Sequence, residues 1–425
     1  MDRFVIRGGR PLYGEVNIGG MKNSALPILF GTIAVGDICT IENIPDVSDI
    51  FVTFEILREM GAKVRLVTTD TAIIDTRGVV VKSPSVGLVD KMRASTYLLG
   101  AMLGRFGEGL VGIPGGCNFG ERPVGLHIKG FESLGAKVEY NERGALHAKA
   151  KDGLKGTMIY FDVASVGATI NVMLAAVYAD GVTVLENCAR EPHIVDTASF
   201  LNACGADISG AGTSTIRIRG VKKLHGCNYK VAPDMIEAGT YMVAAAATGG
   251  KVWVKGVIPK HMDSVSVKLR EIGADVEVTG DDVICVTANS SGYGVPRGRA
   301  TVIRTNPYPG FPTDMQPQFA ALLCLCSGVS KISEGIWQNR FKYVDELKKM
   351  GGSIQIDESS ALITGGTQLY GADVKGSDLR AGAALVIAAL AAEGVSTVSG
   401  LEYIDRGYED FIGKLKSLGA DIRRE

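Results

Sequence analysis

The chain has eight cysteines, at 39, 117, 188, 204, 227, 285, 324 and 326, yet no CxxC pair; its five histidines show no HExxH or comparable spacing. The local signatures of a zinc site are therefore missing, and reduced thiols are the expectation for most of the cysteines. Long apolar runs are missing too. The most apolar segment, Ala383 to Ala392, falls far short of the roughly 18 residues that a bilayer span requires. The opening MDRFVIRGGRPLYGEVNIGG has no apolar stretch of signal-peptide length, so a cytoplasmic protein is expected. An excess of one charge is also absent. A net charge of -1 argues against a general nucleic-acid binder while leaving room for a local pocket of arginines.

What is present is globular: 46% apolar and 21% charged residues over 425 positions, a length that exceeds a single hydrophobic core and predicts two domains. One phrase recurs six times, as in Leu57-Arg-Glu-Met-Gly-Ala-Lys-Val64 and Leu269-Arg-Glu-Ile-Gly-Ala-Asp-Val276. Its glycine falls at 61, 135, 205, 273, 351 and 419, giving intervals of 74, 70, 68, 78 and 68 residues. The phrase reads as a helix end, a left-handed glycine and an alternating strand. Between copies lies an Ala/Leu-rich helix, then a glycine and a β-branched strand, as at Ala168–Ala179 and Gly181-Val-Thr-Val-Leu185. Helices apolar all round belong inside a domain. The reading is an α/β protein of six repeats, three per domain.

Phe4-Val-Ile-Arg7 has no partner in the first repeat, whereas a closing strand is needed after Ile422. We therefore expect domains of 22–232 and of 1–21 with 233–425, two chain crossings near Gly20 and Ala232-Pro233, and an active site in the cleft of such a hinge.

Four constellations carry chemistry. Ile113-Pro-Gly-Gly-Cys-Asn-Phe-Gly-Glu-Arg-Pro123 is a loop with Cys117 at its middle, where packing gives no reason for a thiol; Arg122 favours its thiolate. Gly19-Gly20-Met21-Lys22-Asn23-Ser24 leads into an apolar helix and suits a phosphate, although no Walker loop is present. Pro307 to Pro317 opens a buried helix, where Asp314 reads equally as a helix cap or a general base. Arg93, Arg340, Arg380 and Arg406 lie near loop or helix starts. Each alone reads as a surface charge, but together with Lys22 and Arg122 they suggest a shared polyanionic ligand.

With these residues in view, the sequence resembles the UDP-N-acetylglucosamine 1-carboxyvinyltransferases over its whole length. The matching stretches include GGMKNSALPILF from 19, KMRAS from 91, PGGCNFGERPVGLH from 114, ASVGAT from 164, FPTDMQPQF from 311, QNRF from 338, SDLRAGAALV from 377 and IDRGYED from 404. The resemblance implies a two-domain inverted α/β barrel of six βαβαββ units that closes over phosphoenolpyruvate and UDP-N-acetylglucosamine. It implies that Cys117 donates a proton, Asp314 is the base near the sugar hydroxyl, and Lys22, Arg122 and Arg406 hold the phosphate. Arg340 and Arg380 would take the carboxylate, and Asn23 would touch both substrates. Arg93, Arg122, Pro123, Val124, Gly125, Leu126, Ser165, Val166, Gly167 and Ile336 would line the UDP-sugar pocket. No metal or other cofactor is implied, and no nucleic acid or membrane partner. Two further readings share most of these features: an enolpyruvyl transferase with another acceptor such as shikimate 3-phosphate, and a UDP-sugar-binding paralogue with poor turnover. Three positions depart from the pattern. Gly125 stands where the family commonly has Asp, Val163 replaces a polar residue, and Met235 replaces an Arg.

Overall fold

The computed structural model describes residues 2–112, 124–142, 144–290, 292 and 295–425, with Arg93 as backbone only. Within them the chain forms two compact units. One holds residues 2–19 and 233–425; the other holds 20–112 and 124–232.

The repeated glycines explain how each unit is punctuated. Gly61, Gly135, Gly205, Gly273, Gly351 and Gly419 all take positive φ, between 94° and 118°, where a side chain would be strained. Each therefore ends a helix and turns the chain into the next strand.

One sheet pattern then recurs. A parallel edge strand precedes a long helix, and the strand after that helix is followed by an antiparallel pair. Met158–Tyr160, the helix Val166–Ala176 and Val182–Glu186 show the parallel crossover, with Thr215–Arg219 and Asp207–Ser209 completing the sheet. Five sheets have four strands, and the sixth shows three among the described residues.

Two sheets borrow their parallel strand across a chain crossing. Tyr13–Asn17 pairs with Lys251–Lys255, and Asn228–Lys230 pairs with Ile38–Glu42. Phe4–Val398 and Ile6–Ile422 are register partners, so Arg3–Arg7 fills the sheet that also holds Val395–Ser399 and Asp421–Arg424.

The long helices form the interior. In one unit Lys22–Val35, Tyr97–Phe106 and Val166–Ala176 pack together; in the other, Met235–Thr248, Gln316–Cys324 and Leu379–Ala391 do. Every residue of Met235–Thr248 is buried, which is why it carries apolar side chains on all faces. Sheets shield these helices, so the ends of the helices are what each unit can offer to a ligand. No helix among the described residues is long and apolar enough to cross a membrane.

Candidate active site

In the unit of 2–19 and 233–425, three residues far apart in sequence meet at helix starts. Asp314 lies in a short turn, Thr313–Met315, that leads into Gln316–Cys324. Arg380 is in the first turn of Leu379–Ala391, whose cap is Asp378; that carboxylate accepts from the Arg380 and Ala381 amides at 2.9 and 3.1 Å. Arg340 donates through Nη2 to Asp314 Oδ1 at 2.9 Å, and Arg380 donates through Nε to Oδ2 at 3.1 Å. Asp314 thus does not cap its helix. Its carboxylate is clamped by two guanidinium groups.

Both arginine side chains are nearly inaccessible, at 3% and 5% exposure, whereas Asp314 keeps 29%. Burial is the largest single influence on Arg380 and opposes its charge, but Asp314, Tyr408 and Asp234 together outweigh it and push its pKa upward. The guanidinium also lies 5.4 Å from the centre of the Tyr408 ring, and its Nη1 finds no hydrogen-bond partner among the described residues. Two buried cations beside one partly open carboxylate are a set of groups that can hold an anion and accept a proton.

Glu334, which the sequence reading missed, ties together the segments around this cluster. Its carboxylate accepts from Thr305 at 2.7 Å, Thr313 at 2.9 Å, and the amides of Ile336 and Trp337 at 2.8 and 3.2 Å. Ile336 is thereby tied to the residue beside Asp314. Arg406 follows the short helix Leu401–Ile404 and is half-buried.

The other unit gathers the remaining residues into two groups. Lys22 begins Lys22–Val35, followed by half-buried Asn23, and Lys22 Nζ lies 3.1 Å from Asp49 Oδ2 with both side chains largely buried. The sequence reading did not single out Asp49, which occupies the first turn of Ser48–Glu59 and reads there as an ordinary helix-start acid. Arg93 opens the 3-10 turn Arg93–Thr96, Val124 and Gly125 begin the helix through Ser133, and Ser165 caps Val166–Ala176 through its hydroxyl. Two residues not foreseen join these three starts. Asn171 donates to the Thr96 carbonyl at 2.9 Å and pairs with His127 at 2.9 Å, and the His127 ring lies against Gly167. Cys117, Arg122 and Pro123 lie outside the described residues.

The three departures differ in their surroundings. Val163 is 66% exposed, and Met235 is buried in the first turn of its helix. Gly125 is exposed, and a Cβ there would meet nothing within 4 Å among the described residues. Gly125→Asp should therefore fold. An acid in the first turn replacing a flexible residue should stabilise the unit by about 0.5–1 kcal/mol. Chemical denaturation checks this, and a loss of stability would contradict it.

Glu237 stands in the first turn of Met235–Thr248, next to the crossing at 232/233. It accepts from the Gly19 amide at 2.9 Å and pairs with Lys414 at 2.6 Å. Burial nevertheless lifts its carboxyl from 4.5 to about 7. The folded state then holds a proton that the unfolded state has released, so this stability is full below pH 4.5 and lost as pH rises towards 7. The contribution is on the order of 3 kcal/mol. Wild-type and Glu237→Gln protein should converge or cross in stability over that window. Parallel pH–stability curves would refute the shift.

Comparison with known proteins places the whole chain in a family. The profile of the family described as EPSP synthase (3-phosphoshikimate 1-carboxyvinyltransferase) matches residues 6–415, which sets the class: the enolpyruvyl transferases. The solved enolpyruvyl transferase NikO from Streptomyces tendae is similar over 100% of this chain and 99% of its own, with a TM-score of 0.87 and 26% identity. An EPSP synthase from Acinetobacter baumannii, at 20% identity and TM-score 0.74, shares the fold. UDP-N-acetylglucosamine 1-carboxyvinyltransferase 2 of Clostridium acetobutylicum is 54% identical over 100% of both chains. UDP-N-acetylglucosamine 1-carboxyvinyltransferase 3 of Caldanaerobacter subterraneus subsp. tengcongensis is 54% identical over 100% of this chain and 99% of its own. The chain belongs to the enolpyruvyl transferase family, among the UDP-N-acetylglucosamine 1-carboxyvinyltransferases.

Proposed function

We propose that the protein transfers the enolpyruvyl group of phosphoenolpyruvate to the 3′-hydroxyl of UDP-N-acetylglucosamine and releases phosphate, the first committed step of peptidoglycan precursor synthesis. The observation that carries this reading is full-length identity of 54% to enzymes of that name. The sugar oxygen adds to C2 of phosphoenolpyruvate while a proton goes to C3. Phosphate then leaves as C3 gives up a proton, which restores the double bond.

The residue roles follow the chemistry of the groups. Asp314 takes the hydroxyl proton, and Cys117 supplies the proton to C3. Arg340 and Arg380 hold the substrate carboxylate, while Lys22, Arg122 and Arg406 hold its phosphate. Asn23, Arg93, Val124, Gly125, Leu126, Ser165, Val166, Gly167 and Ile336 serve the nucleotide-sugar. A trianionic substrate calls for several cations, and fixed carboxylates offset positive charge that develops at C2. The reaction so written uses no metal or other cofactor. The seven described cysteines are free thiols, which supports a reducing, cytoplasmic setting.

A phosphate-release assay with both substrates, and with each omitted in turn, tests the proposal. Release should require both. Release dependent on shikimate 3-phosphate instead, or nucleotide-sugar binding with no release, would overturn it.

A further inference from the structure

Three cysteines with no role in this chemistry converge in the unit of 20–112 and 124–232. Cys39 lies on the buried side of Ile38–Glu42, Cys204 closes the helix Pro192–Ala203, and Cys227 precedes the strand Asn228–Lys230. Their sulfurs all lie within 4.8 Å of one another, and Cys204 Sγ is 3.2 Å from Cys227 Sγ. Among the described residues no other group of three or more His, Cys, Asp or Glu side chains is gathered as a metal would need.

We propose that Cys39, Cys204 and Cys227 form a site for one thiophilic d10 cation, of the Zn(II) or Cd(II) class, bound through three thiolates. The backbone holds the three sulfurs from separate directions. The Cys204 amide donates to Phe200 at 3.1 Å, its carbonyl accepts from His225 at 2.9 Å, and the Cys227 carbonyl accepts from Thr40 at 2.9 Å. At Gly226 the chain passes so close to Ile38 that a Cβ would sit 1.8 Å from its carbonyl oxygen. Only glycine fits there, and the approach sets Cys227 against Cys39.

The spacing suits a metal better than the alternatives. Zinc–sulfur bonds of about 2.3 Å place tetrahedral sulfurs about 3.8 Å apart, within the range these thiols already occupy. A disulfide would use two sulfurs and leave the third unexplained. Cys227 is half-buried and gives an entry path, while the other two are buried. Its sulfur, the most accessible of the three, is the readiest first ligand. Each thiol that coordinates releases its proton to solvent, and the bound cation offsets the charge created. Cys227 is the least buried of the three, so water on its open side completes the coordination. The bound ion would clip the strand that leads into the 232/233 crossing to the rest of its unit.

Reduced full-length protein should take up one equivalent of Cd(II) with a thiolate-to-metal charge-transfer band of three-thiolate amplitude. The same equivalent of Zn(II) should raise the unfolding midpoint. Cys227→Ser should weaken binding by at least about 100-fold, since losing a direct ligand costs no less than losing an outer-shell partner. Cys285→Ser should bind as wild type. In wild-type protein, bound Zn(II) should also slow iodoacetamide labelling of Cys227, a readout that needs no variant to fold. Absence of the band, a band indifferent to Cys227→Ser, or a Cys204–Cys227 disulfide in the metal-loaded sample would overturn the proposal.

Discussion

Asp314→Asn should lower kcat by at least about 100-fold while tightening, rather than weakening, the binding of phosphoenolpyruvate. The first effect is the ordinary cost of losing a positioned general base, about two to four decades. The second follows from the geometry of the clamp. Arg340 and Arg380 both direct their charge into the Asp314 carboxylate, at 2.9 and 3.1 Å. An incoming substrate carboxylate must compete with it. Removing that internal anion leaves two buried cations whose charge is less neutralised and which gain more from a ligand. Arg380→Ala should act in the opposite sense. It truncates one partner of a buried charge pair, a change that typically costs about 2–5 kcal/mol, so substrate binding should weaken by at least about 30-fold. Titration of each folded variant with phosphoenolpyruvate, alongside steady-state kinetics, separates the two. If Asp314→Asn loses affinity as Arg380→Ala does, the carboxylate is a ligand-organising group and not a competitor.

The pairings that matter here were the least legible part of the sequence. Asp314, Arg340 and Arg380 are separated by 26 and 40 residues, and no local spacing brings such residues together. Asp314 read equally as a helix cap because an acid before a buried helix usually is one. The role of cap at the neighbouring helix belongs to Asp378. Lys22 and Asp49 show the same limit, since an acid in a first helical turn already has a sufficient local reason to be there. The three thiols at 39, 204 and 227 carry no metal spacing because three separate segments supply them.

The architecture was far easier to read. Six glycines recur at similar intervals because each must occupy a left-handed position that other residues resist. Helices such as Met235–Thr248 announce their burial by lacking a polar face. Local backbone demands leave local marks, whereas side-chain meetings across repeats leave none. Glu334 and Asn171 therefore escaped notice, although each ties together segments that hold candidate site residues.

The chain's eight cysteines should divide sharply in reactivity, and fosfomycin should modify Cys117 alone. Burial pushes Cys188, Cys324 and Cys326 each up to about 12, so their thiolates are scarce near neutral pH. At Cys39, donation from Cys204 works the other way, but Cys227 and burial prevail and raise it to about 12. Cys227 is the one described competitor, half-buried with its pKa held down by its two thiol neighbours. A small neutral reagent such as iodoacetamide should accordingly reach both Cys117 and Cys227. An anionic epoxide needs cations beside the thiol, and those proposed for phosphate binding (Lys22, Arg122 and Arg406) would supply them at Cys117. Cys117→Ser should lower kcat by about 100-fold or more, because a hydroxyl is too weak an acid to protonate C3. Cys117→Asp should retain more turnover than Cys117→Ser and escape alkylation, since a carboxyl group still donates. Peptide mass mapping after fosfomycin treatment decides between these thiols. Label on Cys227, on any buried cysteine, or on none would remove Cys117 from the reaction.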